Sequence, residues 1–263
     1  LMDTQKNLLD LFSQYFELIL ADTPERLEKC YRLRYEVYCK EALIPGFNAE
    51  NYPDELEYDQ YDKQSLHCLL MHIPTGHTAG TVRIILHTSE GQFKFPLEKA
   101  TGLEIFPHAL IGEVSRLIIA PEFRGRRGET GQPHGIAQEL QELEDFTKKD
   151  GRRNPLTKWD GLDLRRSTPR RRFPHTVLGL VMGLVQMSFE HNLRYWYAGM
   201  ELACARFLRS FGIDFAPISP IIDYYGPCKG YFCYIPAILE HVYRTDRQIW
   251  ELLTKNGIFS QSS

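Results

Sequence analysis

GEVSRLIIAPEFRGRR, residues 112–127, reads as a strand running into an arginine-rich tip, with Glu113 and Arg116 where a strand should be apolar. Upstream, ELEYDQYD, residues 55–62, sets Glu57, Asp59 and Asp62 beside Tyr58 and Tyr61. Successive strand residues face opposite ways. Glu113 and Ser115 therefore share one face, and Val114, Arg116 and Ile118 the other. If the octet is extended, Glu57 and Asp59 point one way and Asp62 the other. Arg83 lies between Val82 and Ile84 in another apolar run. An unpaired buried charge is very costly, so these groups pair with one another or face a water-filled cleft. Arg34, Arg83 and Arg116 against Glu57, Asp59, Asp62 and Glu113 make three cations and four anions. The surplus carboxylate is free to accept a proton or hold a substrate amine. The competing explanation is a network of ion pairs that ties loops to a sheet edge.

Around these two stretches the order of elements is legible. FELIL (16–20) is a short strand, and Asp22, Thr23 and Pro24 form a helix start. That helix runs to about Cys39, with Leu27, Cys30, Tyr31, Arg34 and Tyr38 along one stripe. SLHCLLMHI (65–73) and TAGTVRIILHT (78–88) are strands joined by the turn PTGH. After GEVSRLIIA (112–120), residues 125–172 are poor in apolar residues and rich in Gly, Pro and charge. They read as a basic, flexible insertion that is partly disordered or folds on contact. A helix from Phe173, a strand RYWYAGM (194–200) and a helix ending at Gly212 follow. APISPII and GYFCYIP read as a final strand pair, and a terminal helix covers 236–254. The class is α+β around a mostly antiparallel sheet, with residues 1–263 as a single domain.

The net charge of −3 suggests no partner, but its distribution does. Between Arg124 and Arg172 there are 13 Lys/Arg against 8 Asp/Glu, a basic segment on an acidic body. Such asymmetry marks a docking surface for an anionic partner. The basic stretch lacks interleaved aromatics, which argues against nucleic acid. Six cysteines form no CxxC pair, the nine histidines show no ligand spacing, and no metal site is assigned. No signal peptide opens the chain, and TVLGLVMGLVQMSF (176–189) is too short to span a bilayer. The expectation is a cytoplasmic protein with reduced thiols.

RYEVYCKE, the spaced Glu57, Asp59 and Asp62, GTVRII, FPLE and GEVSRLII together resemble the acyl-homoserine-lactone (autoinducer) synthases and the N-acyl amino acid synthases. Both groups belong to the GNAT N-acyltransferase superfamily. The resemblance is strongest to the acyltransferases associated with bacterial exosortase (PEP-CTERM) systems. It covers about residues 30–124. Arg34 and Tyr38 match the family's Arg and aromatic on the first helix, and Arg83 matches its strand arginine. Glu113, Ser115 and Arg116 match its Glu-x-Ser-Arg. The resemblance implies a sheet with a V-shaped splay between two central strands, flanked by helices. An acyl-phosphopantetheine arm lies in that opening, delivered by acyl carrier protein or acyl-CoA, and the acceptor is an amine. No permanently bound cofactor is implied. Two departures stand out: no Trp lies between Tyr38 and Glu57, where the lactone synthases place one at the S-adenosylmethionine site, and the basic insertion is larger than those enzymes need. Both favour an amino acid or similar small amine as acceptor.

Amide formation from a thioester needs a base for the amine proton and stabilisation of the oxyanion. Glu113 is the first choice of base, with Glu57 and Asp59 holding the acceptor's ammonium or orienting the arginines. Arg34, Tyr38, Asp62, Arg83, Ser115 and Arg116 are read as substrate-binding. Backbone N–H groups at Leu117, Ile118 and Ile119 are candidate oxyanion donors by analogy of fold. Arg124, Arg126 and Arg127, with Gly125 and Gly128, cradle the donor's phosphates, dock acidic acyl carrier protein together with Arg165 to Arg172, or form a plain solvated loop tip. The apolar helix reads as core; the functional version has Gly179 and Gly183 making room for an acyl chain. Three rival functions remain at this point: a lactone synthase using S-adenosylmethionine, an acetyl-CoA-dependent N-acetyltransferase, and a non-catalytic lipid- or carrier-protein-binding module.

Overall fold

The computed structural model describes residues 7–42, 44–88, 93–124 and 176–260. Helix α1 (Leu8–Tyr15) leads into β1 (Phe16–Leu20). Helix α2 (Pro24–Tyr35) begins where expected: the Thr23 hydroxyl accepts the Arg26 N–H at 3.4 Å, and Pro24 fills the first turn. It does not run on as an α-helix to Cys39. Residues Glu36–Glu41 form a π-helical turn instead. Strands β2 (Ser65–His72) and β3 (His77–Leu86) make the expected hairpin. Helix α3 (Pro96–Thr101) precedes β4 (Ile111–Ile119). Then come α4 (Thr176–Glu190), β5 (Tyr195–Met200) and α5 (Leu202–Arg209). Short strands β6 (Ala216–Pro217) and β7 (Ile222–Asp223) pair with β8 (Pro227–Tyr234).

The terminal helix is two helices, α6 (Ile235–Thr245) and α7 (Arg247–Thr254). Asp246 breaks it. Its backbone is extended, and its carboxylate accepts the N–H groups of Gln248 and Ile249 at 3.0 and 3.1 Å. An Asp that can cap competes with continuing the helix.

The sheet order is β1-β2-β3-β4-β5-β8-β6, with β7 beside β8. Every neighbouring pair is antiparallel except β4 and β5, which run parallel. That parallel ladder joins only Ile111–Val114 to Tyr195–Ala198, although β4 continues to Ile119. Beyond Val114 the two strands part. This is the mostly antiparallel α+β sheet that the element order leads one to expect, with the splay that the family resemblance implies.

The main apolar core lies between the sheet and helices α1, α4, α6 and α7, with Val177, Leu180, Val181, Leu184 and Val185 of α4 buried. A second cluster on the opposite face joins the π turn to Ile118 and Ala120. Gly179 and Gly183 do not open a tunnel. A Cβ on Gly179 would collide with the Phe12 ring, and one on Gly183 with the Cys68 thiol, so the two glycines let α4 approach α1 and the sheet. No helix among the described residues is long and apolar enough to cross a membrane. All six cysteines are free thiols, and the described residues hold no cluster able to bind a metal. The basic insertion expected at 125–172 lies outside the described residues.

Candidate active site

The acidic octet is not extended. Tyr61 N–H donates to Asp59 Oδ1 at 2.8 Å, Asp59 N–H to Asp62 Oδ2 at 2.7 Å, and Asp62 opens a 3₁₀ turn. Short acidic side chains hydrogen-bond nearby backbone in this way and favour turns over strands. The alternation rule therefore fails here, and Asp62 points with Glu57 and Asp59 rather than away from them.

Strand β4 departs from simple alternation too. Arg83 pairs with Ser115 and Thr81 with Ile118, so one residue of β3 faces two of β4. Arg116 sits in this bulge at φ +56°, a left-handed conformation unusual for a residue with a side chain. The bulge resets the alternation: Val114 faces α4, whereas Ile118 faces the π turn on the side of Ser115. Arg116 is thereby delivered to the carboxylates instead of the apolar face. Such backbone costs roughly 1–3 kcal/mol and persists only where the surroundings hold it.

They do. Arg116 donates to Glu57 Oε1 at 2.9 Å, Glu57 Oε2 at 3.2 Å and Asp59 Oδ2 at 3.1 Å. Its guanidinium lies 5.6 Å from the Tyr38 ring, 4.8 Å from Phe47 and 5.9 Å from Tyr225. Arg34 donates to Glu57 and takes Asp62 with both terminal nitrogens at 2.8 and 3.1 Å. Arg83 meets Asp59 at 2.8 and 3.1 Å, Asp62 at 2.7 Å and the Ser115 hydroxyl at 3.0 Å. Three arginines thus balance three carboxylates. Burial alone would raise Glu57 and Asp62, but the guanidiniums outweigh it and hold both carboxyls below their ordinary range. Glu57 is 0% exposed, while the Asp59 side chain, at 26%, is the most open of the three.

Glu113 is the carboxylate left over. It is 2% exposed and meets no guanidinium in the network. Among the described residues its one hydrogen bond is from the Leu97 N–H of α3 to Oε2, at 3.0 Å. Burial pushes its carboxyl up to about 8, against the lowering effect of that N–H and of Arg83. Glu113 lines a cavity of ≈ 200 Å³ where β4 and β5 separate. One end of the cavity is polar, with Arg83, Ser115, Arg116 and Tyr224; the other is apolar, with Val181, Leu184, Leu208 and Phe215. The opening runs through the sheet.

Leu117 lines the cavity, but Ile118 packs on the π turn and Ile119 against the main core. Arg124 turns away: its fork meets Glu41 and the Ile119 carbonyl at 2.7 and 2.6 Å. Arg126 and Arg127 lie outside the described residues. From the sequence Tyr224 and Tyr225 read as sheet packing or pocket lining, and both line the cavity; Phe47, and what Glu98 does within FPLE, went unread. The rings of Phe47 and Tyr225 over Arg116 come from distant loops and carry no local signal. Glu98 does carry one: Pro96 followed by a glutamate at the third helical position is a capping pattern.

Residues 33–132, which hold the whole ion network and Glu113, match the family model described as acetyltransferase (GNAT) domain. No curated protein matches the chain by sequence. Among solved structures, the CoA-dependent acyl-homoserine lactone synthase BjaI, with SAM and isopentyl-CoA, is similar at 15% identity and a TM-score of 0.51, over 95% of this chain and 90% of that one. TofI in a ternary complex with an inhibitor and MTA is similar at 14% identity and 0.52, over 90% and 97%. FeeM, an N-acyl amino acid synthase from uncultured soil microbes, is similar at 12% identity and 0.47, over 88% and 96%.

The fold is the GNAT fold. A mostly antiparallel open sheet, splayed at its parallel pair and covered by helices on both faces, carries the candidate site at the splay.

Proposed function

We propose that this chain is an acyltransferase that moves a fatty acyl group from a phosphopantetheine thioester to the amine of an amino acid or similar small acceptor. The GNAT-domain match supports acyl transfer in general. The observation that carries the reading is Glu113, a buried carboxylate without a cation at the floor of the splay. A base works best when its pKa lies near the working pH, and burial brings Glu113 to about 8. The thioester arm enters between β4 and β5, and the acyl chain runs toward Val181, Leu184 and Phe215. The amine approaches from the polar end and attacks the thioester carbonyl carbon. Its proton passes to Glu113, the C–S bond breaks, and the departing thiolate takes up a proton. Arg34 and Arg83 act by fixing Asp59 and Asp62, and Arg116 by presenting its cation beside the cavity. Glu57 is saturated by Arg34 and Arg116 and acts as a support; Asp59, more exposed but held by Arg83 and Arg116 and not lining the cavity, acts likewise by orienting the arginines.

The donor is acyl carrier protein or acyl-CoA, the partner a cytoplasmic one. The narrower likeness to exosortase-associated acyltransferases rests on the sequence motifs alone. A second reading, a lactone synthase using S-adenosylmethionine, is favoured by the fold likeness to BjaI and TofI. The missing Trp between Tyr38 and Glu57 counts against it. Mass spectrometry of organic extracts from cells expressing the chain, beside cells expressing Glu113→Gln, tests the proposal. A new acylated amino acid found only with the parent protein supports it and names acceptor and chain length together. An acylated homoserine lactone would favour the second reading, and the same product from both proteins would remove Glu113 from the chemistry.

A further inference from the structure

The segment 93–108 lies outside the arginine network, yet among the described residues it supplies the hydrogen bond that Glu113 receives. Helix α3 has only six residues, too few to be stable by itself. It is pinned instead by Glu98, whose side chain is 1% exposed. Glu98 Oε2 accepts the Phe95 N–H at 2.9 Å, and Oε1 accepts the Ile105 N–H at 2.8 Å. His108 Nε2 lies 3.1 Å from the same Oε1, and its ring stacks on His87 at 4.6 Å. One buried carboxylate thus joins the start of α3, the chain beyond it and the turn that enters β4. Within that closed loop, Leu97, itself fully buried, holds its N–H against Glu113. Thr101 adds a tie from α3 to the sheet, its hydroxyl lying 3.0 Å from that of Tyr197 on β5.

We propose that Glu98 is a positioning residue for Glu113: by clamping α3 it sets the Leu97 N–H against one carboxylate oxygen and leaves the other toward the cavity. The inference rests on the reading of Glu113 as the base. It adds that the base is aimed from outside the network, by a carboxylate that touches neither donor nor acceptor. Five groups face Glu113 from the elements around it: Arg83 on β3, Glu98 on α3, Arg116 on β4, Tyr197 on β5 and Tyr224 in the β7–β8 turn. Glu98 acts on Glu113 in two opposed ways. Its negative charge raises the Glu113 carboxyl, whereas the N–H it positions lowers it.

Two variants separate these effects, because Glu98→Gln and Glu98→Ala both lack the charge but only Gln keeps an acceptor for part of the clamp. The Glu113 carboxyl is followed by NMR in protein labelled with ¹³C at the glutamate carboxyl, its signal assigned by its loss in Glu113→Gln. Positioning predicts a midpoint in Glu98→Ala at least about half a pH unit above that in Glu98→Gln. Product in cell extracts should be at least about tenfold lower for Ala than for Gln, as expected when a hydrogen bond to a charged group is lost. Equal midpoints and equal product, with only the melting temperature differing, would make Glu98 a purely structural cap and overturn the proposal. If Glu98→Ala fails to fold, hydrogen exchange of the Leu97 amide decides in Glu98→Asp, whose shorter side chain keeps the charge but cannot reach both N–H groups. Exchange at least about tenfold faster than in the parent supports the clamp, and unchanged exchange refutes it. Should Glu113→Gln retain full product, the base assignment falls, while the titration and exchange still report whether Glu98 sets the carboxylate.

Discussion

Replacing Glu113 by Gln should stabilise the protein at alkaline pH while removing its activity. The carboxyl stands at about 8 in the folded chain against 4.5 for an ordinary glutamate. Below pH 4.5 both folded and unfolded chains carry the proton, and the group contributes nothing. Between those values the unfolded chain has released the proton and the folded chain still holds it. Unfolding therefore becomes easier as pH rises, by about 1.4 kcal/mol per pH unit. Over the gap of about 3.5 units the parent loses up to about 5 kcal/mol, an upper bound because water can relax around the charge. Glutamine keeps an oxygen for the Leu97 N–H and has no proton to lose. Urea unfolding of both proteins at a series of pH values from 5 to 9 measures the difference. The variant should match the parent near pH 5 and exceed it progressively, by several kcal/mol at pH 9. A difference that stays constant with pH would show that Glu113 is not a buried, unpaired acid, and the argument for it as base would fail.

Asp62→Ala leaves Arg34 and Arg83 buried without their shared partner, and should cost about 3–5 kcal/mol in urea unfolding at pH 7. Glu57 and Asp62 stabilise the fold fully above the ordinary carboxylate range, and that contribution should disappear as pH falls through their depressed values, seen as a steep acid limb that Asp62→Asn flattens. Gly183→Ala forces a methyl group into the Cys68 thiol and should destabilise by about 1–3 kcal/mol in thermal unfolding, with the chain length of the product unchanged. Leu184→Phe narrows the apolar end of the cavity and should shift the products in extracts toward shorter acyl chains.

Much of the fold was legible because its signals are local. Thr23 and Pro24 mark a helix start, the PTGH turn marks a hairpin, and the apolar runs mark the central strands. The site was legible as a set of residue types at fixed separations, and less so as geometry. Asp62 was placed on the wrong face because the octet closes on its own backbone. Arg116 was misplaced because a bulge, which no residue between Glu113 and Ile119 announces, adds one position to the strand. The split of α6 from α7 had a signal in Asp246, a capping residue inside an otherwise helical run. The aromatic rings around Arg116 come from loops near residues 47 and 225, and only the folded chain brings them together.

The most direct test of the account is amide formation by the purified protein, using the acyl donor and amine that the cell extracts identify. General-base catalysis contributes roughly 10²–10⁴-fold. Glu113→Gln should therefore lower kcat by about that factor with little change in KM for the donor, and the parent's rate should rise with pH toward a plateau as Glu113 ionises near 8. Equal rates for the two proteins across that range would contradict the account at its centre.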